Sequence, residues 1–316
     1  MSTARMARSL TKPVRLIGAG SGWGAGVRET EDGPQGLRAF GLAEHLAGVG
    51  VRASWAQIVE PEKRWHEAGD LSRPEVFELV ARHNGALADA VAKAMAARAL
   101  PVVIGGDHAI AMGTWGGVTR AMRRAPFGLI WMDAHLDAHT VETTPSMNAH
   151  GMSAAVLLGH GLPEFLKVGG GALRPEHLCY VGVRSYEVAE WALLRRLGVR
   201  IFYMEEVHER GLAAVMADAL AIATRGTRGF GLTIDLDGFD PADVPGVGLP
   251  VAGGLRGTEA AAVLRGIARD PRLRAVEIVE YAPALDRDHR TAQLVVDLLA
   301  SALTPVAQAQ AASTAA

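Results

Sequence analysis

Aspartate and histidine gather in three short clusters: Gly105-Gly106-Asp107-His108, Asp133-Ala134-His135-Leu136-Asp137 and Asp235-Leu236-Asp237. In an extended chain, alternate residues point to the same side. We therefore expect Asp133, His135 and Asp137 to face one point, and Asp235 and Asp237 to do likewise. Carboxylates brought this close repel one another and take up protons unless a cation lies between them. Imidazole mixed with carboxylate suits a first-row divalent metal, and so many oxygen donors predict more than one ion.

The combination of the three clusters is more informative than any one of them. A single cluster is equally compatible with a solvated loop after a strand. Together they favour a site for two metal ions, which can share one bridging water and lower its pKa toward neutrality. Asp133 and Asp235, the first aspartates of their clusters, are best placed to bridge the two ions.

Apolar, strand-like segments alternate with amphipathic, helix-like ones along the chain. The predicted strands are residues 14–17, 53–59, 102–104, 127–132, 178–183, 200–203, 230–234 and 273–279. The predicted helices are one that begins near Pro74 with Ser72 as its cap, and residues 187–197, 213–223, 255–267 and 292–303. This alternation is typical of an α/β fold with three αβα layers, in which helices cover both faces of a mostly parallel sheet. All three clusters follow predicted strands, so they should meet at the carboxyl edge of the sheet.

Composition excludes several functional classes. The chain has 316 residues, 49% of them hydrophobic, and a formal net charge of −2, which gives no electrostatic footprint for nucleic acid. No apolar run approaches the about 18 residues of a membrane helix, and no secretory signal is evident. The only cysteine, Cys179, is expected in the core, which fits a reducing, cytoplasmic location. We predict a flexible N-terminus at residues 1–12, one domain at 13–305 and a disordered tail at 306–316.

A glycine-rich segment at residues 18–26 suggests a dinucleotide-binding loop, but its spacing argues against one. Trp23 stands where the third glycine of that motif is required. A loop at the rim of the crevice is the better interpretation.

The clusters resemble those of a known family. Together with His150-Gly151-Met152 and Thr233-Ile234-Asp235-Leu236-Asp237-Gly238-Phe239-Asp240-Pro241, they are similar to the ureohydrolases, which include arginase and agmatinase, and most of all to arginase. The resemblance runs from the first strand to the last helix. It implies an eight-stranded sheet, two Mn²⁺ ions per chain, hydrolysis of a small guanidino substrate to urea and an amine, and a homotrimer or homohexamer.

The resemblance also assigns roles to residues of this chain. One metal would be held by His108, Asp133, Asp137 and Asp235, and the other by Asp133, His135, Asp235 and Asp237. The catalytic residues would be Asp137 beside the bridging water, His150 as a proton shuttle and Glu280 as the partner of the guanidinium. The substrate-binding residues would be His139, Thr144, Ser146, Asn148 and Glu187.

The substrate is the least determined part of this hypothesis. Hydroxyls at Thr144 and Ser146 and a carboxylate at Glu187 suit an α-amino acid, which favours conversion of L-arginine to L-ornithine and urea. However, His139, Ser185 and Leu249 differ from the residues usual in arginases. Action as an agmatinase, a guanidinobutyrase, another guanidino-acid hydrolase or a formiminoglutamate hydrolase therefore stays open. So do a one-metal deacylase, which would not need all the ligands present here, and a non-catalytic metal-binding homologue.

Overall fold

The computed structural model describes residues 12–67 and 69–304. These residues contain one eight-stranded sheet. Every pair of neighbouring strands is parallel, and their order is β2-β1-β3-β8-β7-β4-β5-β6. The strands are β1 (Val14–Ala19), β2 (Ala53–Val59), β3 (Leu100–Gly105), β4 (Phe127–Met132), β5 (Leu178–Val183), β6 (Arg200–Tyr203), β7 (Gly229–Asp235) and β8 (Leu273–Val279). The predicted flexible N-terminus at residues 1–12 lies outside the described residues except for residue 12, and the predicted disordered tail at residues 306–316 lies entirely outside them.

Helices cover both faces of the sheet. They are α1 (Gly33–Ala39), α2 (Leu42–Gly48), α3 (Arg73–Ala96), α4 (Ala111–Ala121), α5 (Ser153–Leu157), α6 (Pro163–Gly169), α7 (Val188–Leu197), α8 (Met204–Arg210), α9 (Leu212–Thr224), α10 (Gly257–Leu264) and α11 (Arg290–Leu303). Within the described ranges, no helix combines the length and the apolar character that a membrane crossing requires.

Two hydrophobic layers separate the sheet from its helices. Val102 and Ile104 point to the layer that contains α2, α9 and α11, while Val103 points to the layer that contains α3 and α4. This alternation is the normal geometry of a strand that is buried on both faces. The predicted three-layer αβα fold is confirmed, and Cys179 lies buried in its core.

All eight predicted strands are confirmed, three of them with slightly longer bounds. The helix predicted at residues 255–267 is wrong at both ends, because Leu255 forms a β-bridge with Phe239 and the helix spans only Gly257–Leu264. Ser72 caps α3 through a capping box with Glu75, as expected. Six helices were not predicted; α4 is buried almost all round, so it has no polar face to produce a helical pattern.

Candidate metal centre

The three clusters converge on neighbouring strands in the middle of the sheet. His108 follows β3, Asp133 follows β4, Asp235 ends β7 and Glu280 follows β8, and these strands are adjacent in the order β3-β8-β7-β4. The carboxyl ends of parallel strands share one edge of the sheet, so the four segments face a common crevice.

The local backbone differs from the extended chain that the sequence predicted. Asp137 has φ of +49°, a left-handed conformation that is unfavourable for a residue with a side chain. Asp235 and Asp237 flank a tight turn in which Asp235 Oδ1 accepts a hydrogen bond from the Asp237 backbone N–H at 2.9 Å. Turns held by their own side chains, rather than strand alternation, therefore bring these carboxylates together.

The first group of ligands surrounds His108. Its Nδ1 lies 2.9 Å from Asp235 Oδ2, 3.0 Å from Asp137 Oδ2 and 3.3 Å from Asp133 Oδ2. All four side chains are buried, and their ligand atoms lie within 4.8 Å of one another. These four residues are the set expected for one metal.

The second group contains Asp133, His135 and Asp237, again within 4.8 Å. His135 Nδ1 lies 3.2 Å from Asp237 Oδ2 and 3.5 Å from Asp133 Oδ1. Asp133 thus belongs to both groups, as a bridging ligand would. Asp235 was also expected in the second group, but it does not belong to it. Its Oδ1 accepts a hydrogen bond from the Asp237 backbone N–H instead.

The electrostatics of the cluster fit a cation. His108 Nδ1 and Asp237 Oδ1 are buried without a hydrogen-bond partner among the described residues. Burial and the neighbouring carboxylates of Asp237 and Asp133 raise the pKa of Asp235 well above its usual value. Burial, with a smaller contribution from Asp133, raises the pKa of Asp237 to about 6 against the lowering effect of His135. Metal ions would relieve this repulsion and occupy the lone pairs that the fold leaves free.

Asp133 is fixed by two donors. Trp131 Nε1 donates to its Oδ2 at 2.8 Å, and the His135 backbone N–H donates to its Oδ1 at 2.6 Å. The Trp131 ring also stacks on the His108 ring at a centroid distance of 4.4 Å. One tryptophan of β4 therefore orients a ligand from each of two strands.

His150 and Glu280 form a pair at the edge of the first group. Glu280 Oε1 accepts from the His108 backbone N–H at 2.8 Å and lies 3.1 Å from His150 Nδ1. Burial opposes protonation, but the hydrogen bond and charge of Glu280 raise the pKa of His150 to about 9. Glu280 is held in a left-handed conformation, with φ of +66°. Strained backbone of this kind is concentrated at functional sites.

The loop between Asp137 and His150 carries four of the predicted substrate-binding residues, which are His139, Thr144, Ser146 and Asn148. Thr144 Oγ1 accepts from the Met147 backbone N–H at 3.1 Å, and Ser146 Oγ accepts from the Asn148 N–H at 3.2 Å. Each hydroxyl therefore uses an acceptor site to shape the loop and keeps its O–H as a donor. Donors of this kind suit a carboxylate.

His139 and Glu187 contact each other. His139 is buried, with Nε2 3.1 Å from Glu187 Oε2 and Nδ1 3.1 Å from Thr143 Oγ1. The sequence analysis missed Glu190, whose Oε2 accepts from the Ala138 backbone N–H at 3.1 Å. Burial raises the pKa of Glu190 to about 8. Its spacing from Glu187 matches a helix capping box, a signal present in the sequence.

Arg184 was also missed, since the sequence analysis gave it no role. Its guanidinium donates to six carbonyl oxygens, which belong to Gly182, Asp237, Gly238, Phe239, Val251 and Ala252, at 2.7–3.2 Å. This side chain joins β5 to the turn that carries Asp237. No local sequence signal identifies such a contact, because five of the six acceptors lie more than 50 residues further along the chain.

The glycine-rich segment lies against the same crevice. The Gly24 N–H donates to Asp107 Oδ2 at 2.9 Å, and the Gly24 carbonyl accepts from the His150 N–H at 3.0 Å. A Cβ on Gly24 would lie 2.2 Å from Asp107 Oδ1, so no larger residue fits. The segment therefore supports His150. Gly18 and Ala19 end β1 and residues 20–25 are buried, so the segment packs against the crevice instead of forming the loop predicted at its rim.

Comparison with known proteins gives a consistent result. The model of the arginase family matches residues 12–304. An arginase of Bacillus caldovelox is 38% identical over 294 residues, which cover 92% of this chain and 97% of that protein. An arginase of Brevibacillus brevis is 34% identical over 92% of this chain and 98% of its own length.

Solved structures agree with the sequence comparison. The native Bacillus caldovelox arginase superposes with a TM-score of 0.84 at 37% identity, covering 93% of this chain and 98% of that one. An Entamoeba histolytica arginase in complex with L-ornithine gives a TM-score of 0.84 at 27% identity, covering 94% of this chain and 99% of that one. The chain therefore belongs to the arginase family.

Proposed function

We propose that this protein is a two-metal hydrolase that converts L-arginine into L-ornithine and urea. The observation that carries the proposal is the sharing of Asp133 between two groups of ligands, directly beside the His150–Glu280 pair. When bound, two divalent cations would lower the pKa of water and so supply a nucleophile for the guanidinium carbon. We propose manganese as the metal, because the family resemblance implies it.

The residues of the chain have distinct tasks in this reaction. Glu280 Oε2 accepts no hydrogen bond among the described residues, so it remains available to pair with the guanidinium group of the substrate. Asp137, whose Oδ2 lies 3.0 Å from His108 Nδ1, would accept the proton of the attacking water. His150 uses Nδ1 to contact Glu280, which leaves Nε2 to deliver a proton to the departing amine. A pKa of about 9 keeps that proton in place at neutral pH.

The opposite end of the substrate would meet the loop after Asp137. The free hydroxyl protons of Thr144 and Ser146 would donate to the α-carboxylate, with Asn148 beside them. Glu187, which is exposed at the start of α7, would face the α-ammonium group. A ligand with a carboxylate and an ammonium group at one end is an α-amino acid.

One contact favours a second candidate. Glu187 Oε2 already lies 3.1 Å from His139 Nε2, so the His139 ring would compete with a substrate ammonium group for the same carboxylate. A guanidino acid without an α-amino group, such as guanidinobutyrate, would avoid that competition. We therefore keep guanidinobutyrase activity as the alternative.

Urea release from a panel of substrates tests both candidates. The manganese-loaded protein is assayed with L-arginine, agmatine, guanidinobutyrate and guanidinoacetate, and formamide release from formiminoglutamate is measured in parallel. L-Arginine should give the highest kcat/KM. A higher kcat/KM for guanidinobutyrate than for L-arginine would replace the proposal with its alternative. No turnover of any compound would favour a non-catalytic homologue. Asp137→Ala, checked for its metal content, serves as the inactive control.

Further aspects of the proposal concern the whole protein. We propose a single domain at residues 13–305, a homotrimer or homohexamer and a cytoplasmic location. Light scattering coupled to size-exclusion chromatography distinguishes the trimer from the hexamer, and a monomer would contradict both.

A further inference from the structure

A carboxylate lies within the sheet beneath the candidate metal centre. Glu277 is at the centre of β8, between Val276 and Ile278, and it has no exposed surface. A buried charge costs several kcal/mol unless its surroundings compensate it. Among the described residues, the only basic side chain within 4.0 Å is that of His108, whose Nε2 lies at that distance.

Thr233 stands between the two residues. Its Oγ1 donates to Glu277 Oε1 at 2.7 Å and lies 3.1 Å from His108 Nε2. Trp115 Nε1 also donates to Glu277 Oε1, at 3.1 Å. Thr233, Glu277 and Trp115 are all buried, so bulk water does not compete for these hydrogen bonds.

The hydrogens carried by the His108 ring and the Thr233 hydroxyl determine which group donates and which accepts in each of these hydrogen bonds. Three aspartate oxygens lie 2.9–3.3 Å from His108 Nδ1, which makes Nδ1 the nitrogen that faces the metal. A ligand nitrogen needs its lone pair, so the ring hydrogen is on Nε2. Nε2–H then donates to Thr233, and the single hydroxyl hydrogen of Thr233 continues to Glu277.

We propose that Thr233 and Glu277 are positioning residues for the first metal, acting as a hydrogen-bond relay on His108. The relay sets which ring nitrogen carries the hydrogen, holds the ring in place and increases the basicity of Nδ1 through the negative charge of Glu277. This inference rests on the proposed two-metal function. It extends that function from the ligands to two residues that touch neither metal nor substrate.

Partners of this kind typically change metal affinity by about 10- to 100-fold. The effect should be selective, because the relay ends on His108 and the second group has its own histidine, His135. Thr233→Val removes the link while leaving the carboxylate, and Glu277→Gln removes the charge while leaving an acceptor. Each variant should weaken one of two manganese sites and leave the other close to its original affinity.

Manganese titration of the metal-free protein tests the relay without any assay of activity. We expect two sites in the unmodified protein and a loss of about 10- to 100-fold at one site in Thr233→Val and Glu277→Gln. Thr233→Ser keeps the hydroxyl and should restore affinity to within about threefold, a factor worth less than 1 kcal/mol. Thr119→Val is the matched control, because the buried Thr119 hydroxyl bonds only the carbonyls of Trp115 and Gly116.

The outcomes separate the relay from the function on which it rests. Unchanged affinity at both sites in folded Thr233→Val would overturn the relay while the two-metal function stands. If Glu277→Gln does not fold, Thr233→Val and Thr233→Ser decide the question by the same titration. An unmodified protein that binds no manganese would overturn the relay and the proposed function together.

Discussion

At the residue scale, the carboxylates of the candidate site differ in how the protein hydrogen-bonds their two oxygens. Each oxygen of Asp133 has its own donor, whereas Glu280 uses one oxygen for two donors and keeps the other free. The first arrangement suits a fixed bridging ligand, and the second suits a group that must also bind substrate. Residues of the same chemical class thus differ in role because of what the neighbouring backbone donates to them.

Glu280→Gln should reduce kcat/KM for L-arginine by about 100-fold, equivalent to about 2.7 kcal/mol of charge-assisted hydrogen bonding. Glutamine keeps an oxygen for the His108 N–H but offers the guanidinium no charge. It also removes the partner that raises the pKa of His150, so the acidic group in the pH profile of kcat should titrate at lower pH. Steady-state kinetics between pH 6 and pH 10 measure both effects. Unchanged kcat/KM with full metal content would contradict the role of Glu280.

Metal affinity should rise with pH. In the metal-free protein the pKa of Asp237 is raised to about 6, mainly by burial, so below that value its carboxyl group must lose a proton before it binds. Burial opposes protonation of His108 and His135, but the neighbouring aspartates raise the pKa of both imidazoles. Metal binding at neutral pH must therefore displace further protons from these two rings. Calorimetric titration with manganese, in two buffers of different ionisation enthalpy, counts the released protons. An affinity that is constant between pH 5 and pH 8 would contradict this linkage.

At the element scale, Arg184 joins three segments that the sequence keeps far apart. Arg184→Ala should lower the free energy of unfolding by about 3 kcal/mol or more, because several carbonyls lose a charged donor at once. Urea denaturation of the metal-free protein measures this loss. Arg196→Ala, an exposed change on α7, is the control and should stay within about 0.5 kcal/mol of the parent. Equal urea midpoints for the two variants would show that the contacts of Arg184 contribute nothing to the free energy of unfolding.

The elements themselves were largely predictable, because a strand buried on both faces is a continuous apolar run in the sequence. The position of the ligands followed from that, since each cluster comes directly after such a run. What the sequence did not yield were features that depend on distant contacts. The left-handed backbone of Asp137 and the carbonyl acceptors of Arg184 are examples. Glu277 did carry a signal, because a charged residue inside an apolar strand must find partners when the sheet forms.

At the scale of the whole molecule, the fold brings strongly repelling groups together at the centre of its sheet. Strands β3, β4 and β7 supply the aspartates and histidines, and the register of a parallel sheet places their carboxyl ends at one edge. The pKa values of Asp137 and Asp235 are raised by burial first and by neighbouring carboxylates second. The metal-free fold therefore carries an electrostatic cost at its centre, and metal binding should contribute to global stability.

Removal of metal should therefore lower the melting temperature of the protein on the order of 10 °C. Each site filled at one hundred times its dissociation constant adds about 2.7 kcal/mol, and two such sites add about twice that. Differential scanning calorimetry with manganese, and then with excess chelator, measures the change. Asp133→Ala is the informative control: Asp133 belongs to both groups of ligands, so this variant should melt at nearly the same temperature with and without chelator. If the parent protein, verified as metal-free, melts at the same temperature as the loaded form, then hydrogen bonds such as those of Trp131 and Arg184 already hold the strand ends together, and the metals would serve the reaction alone.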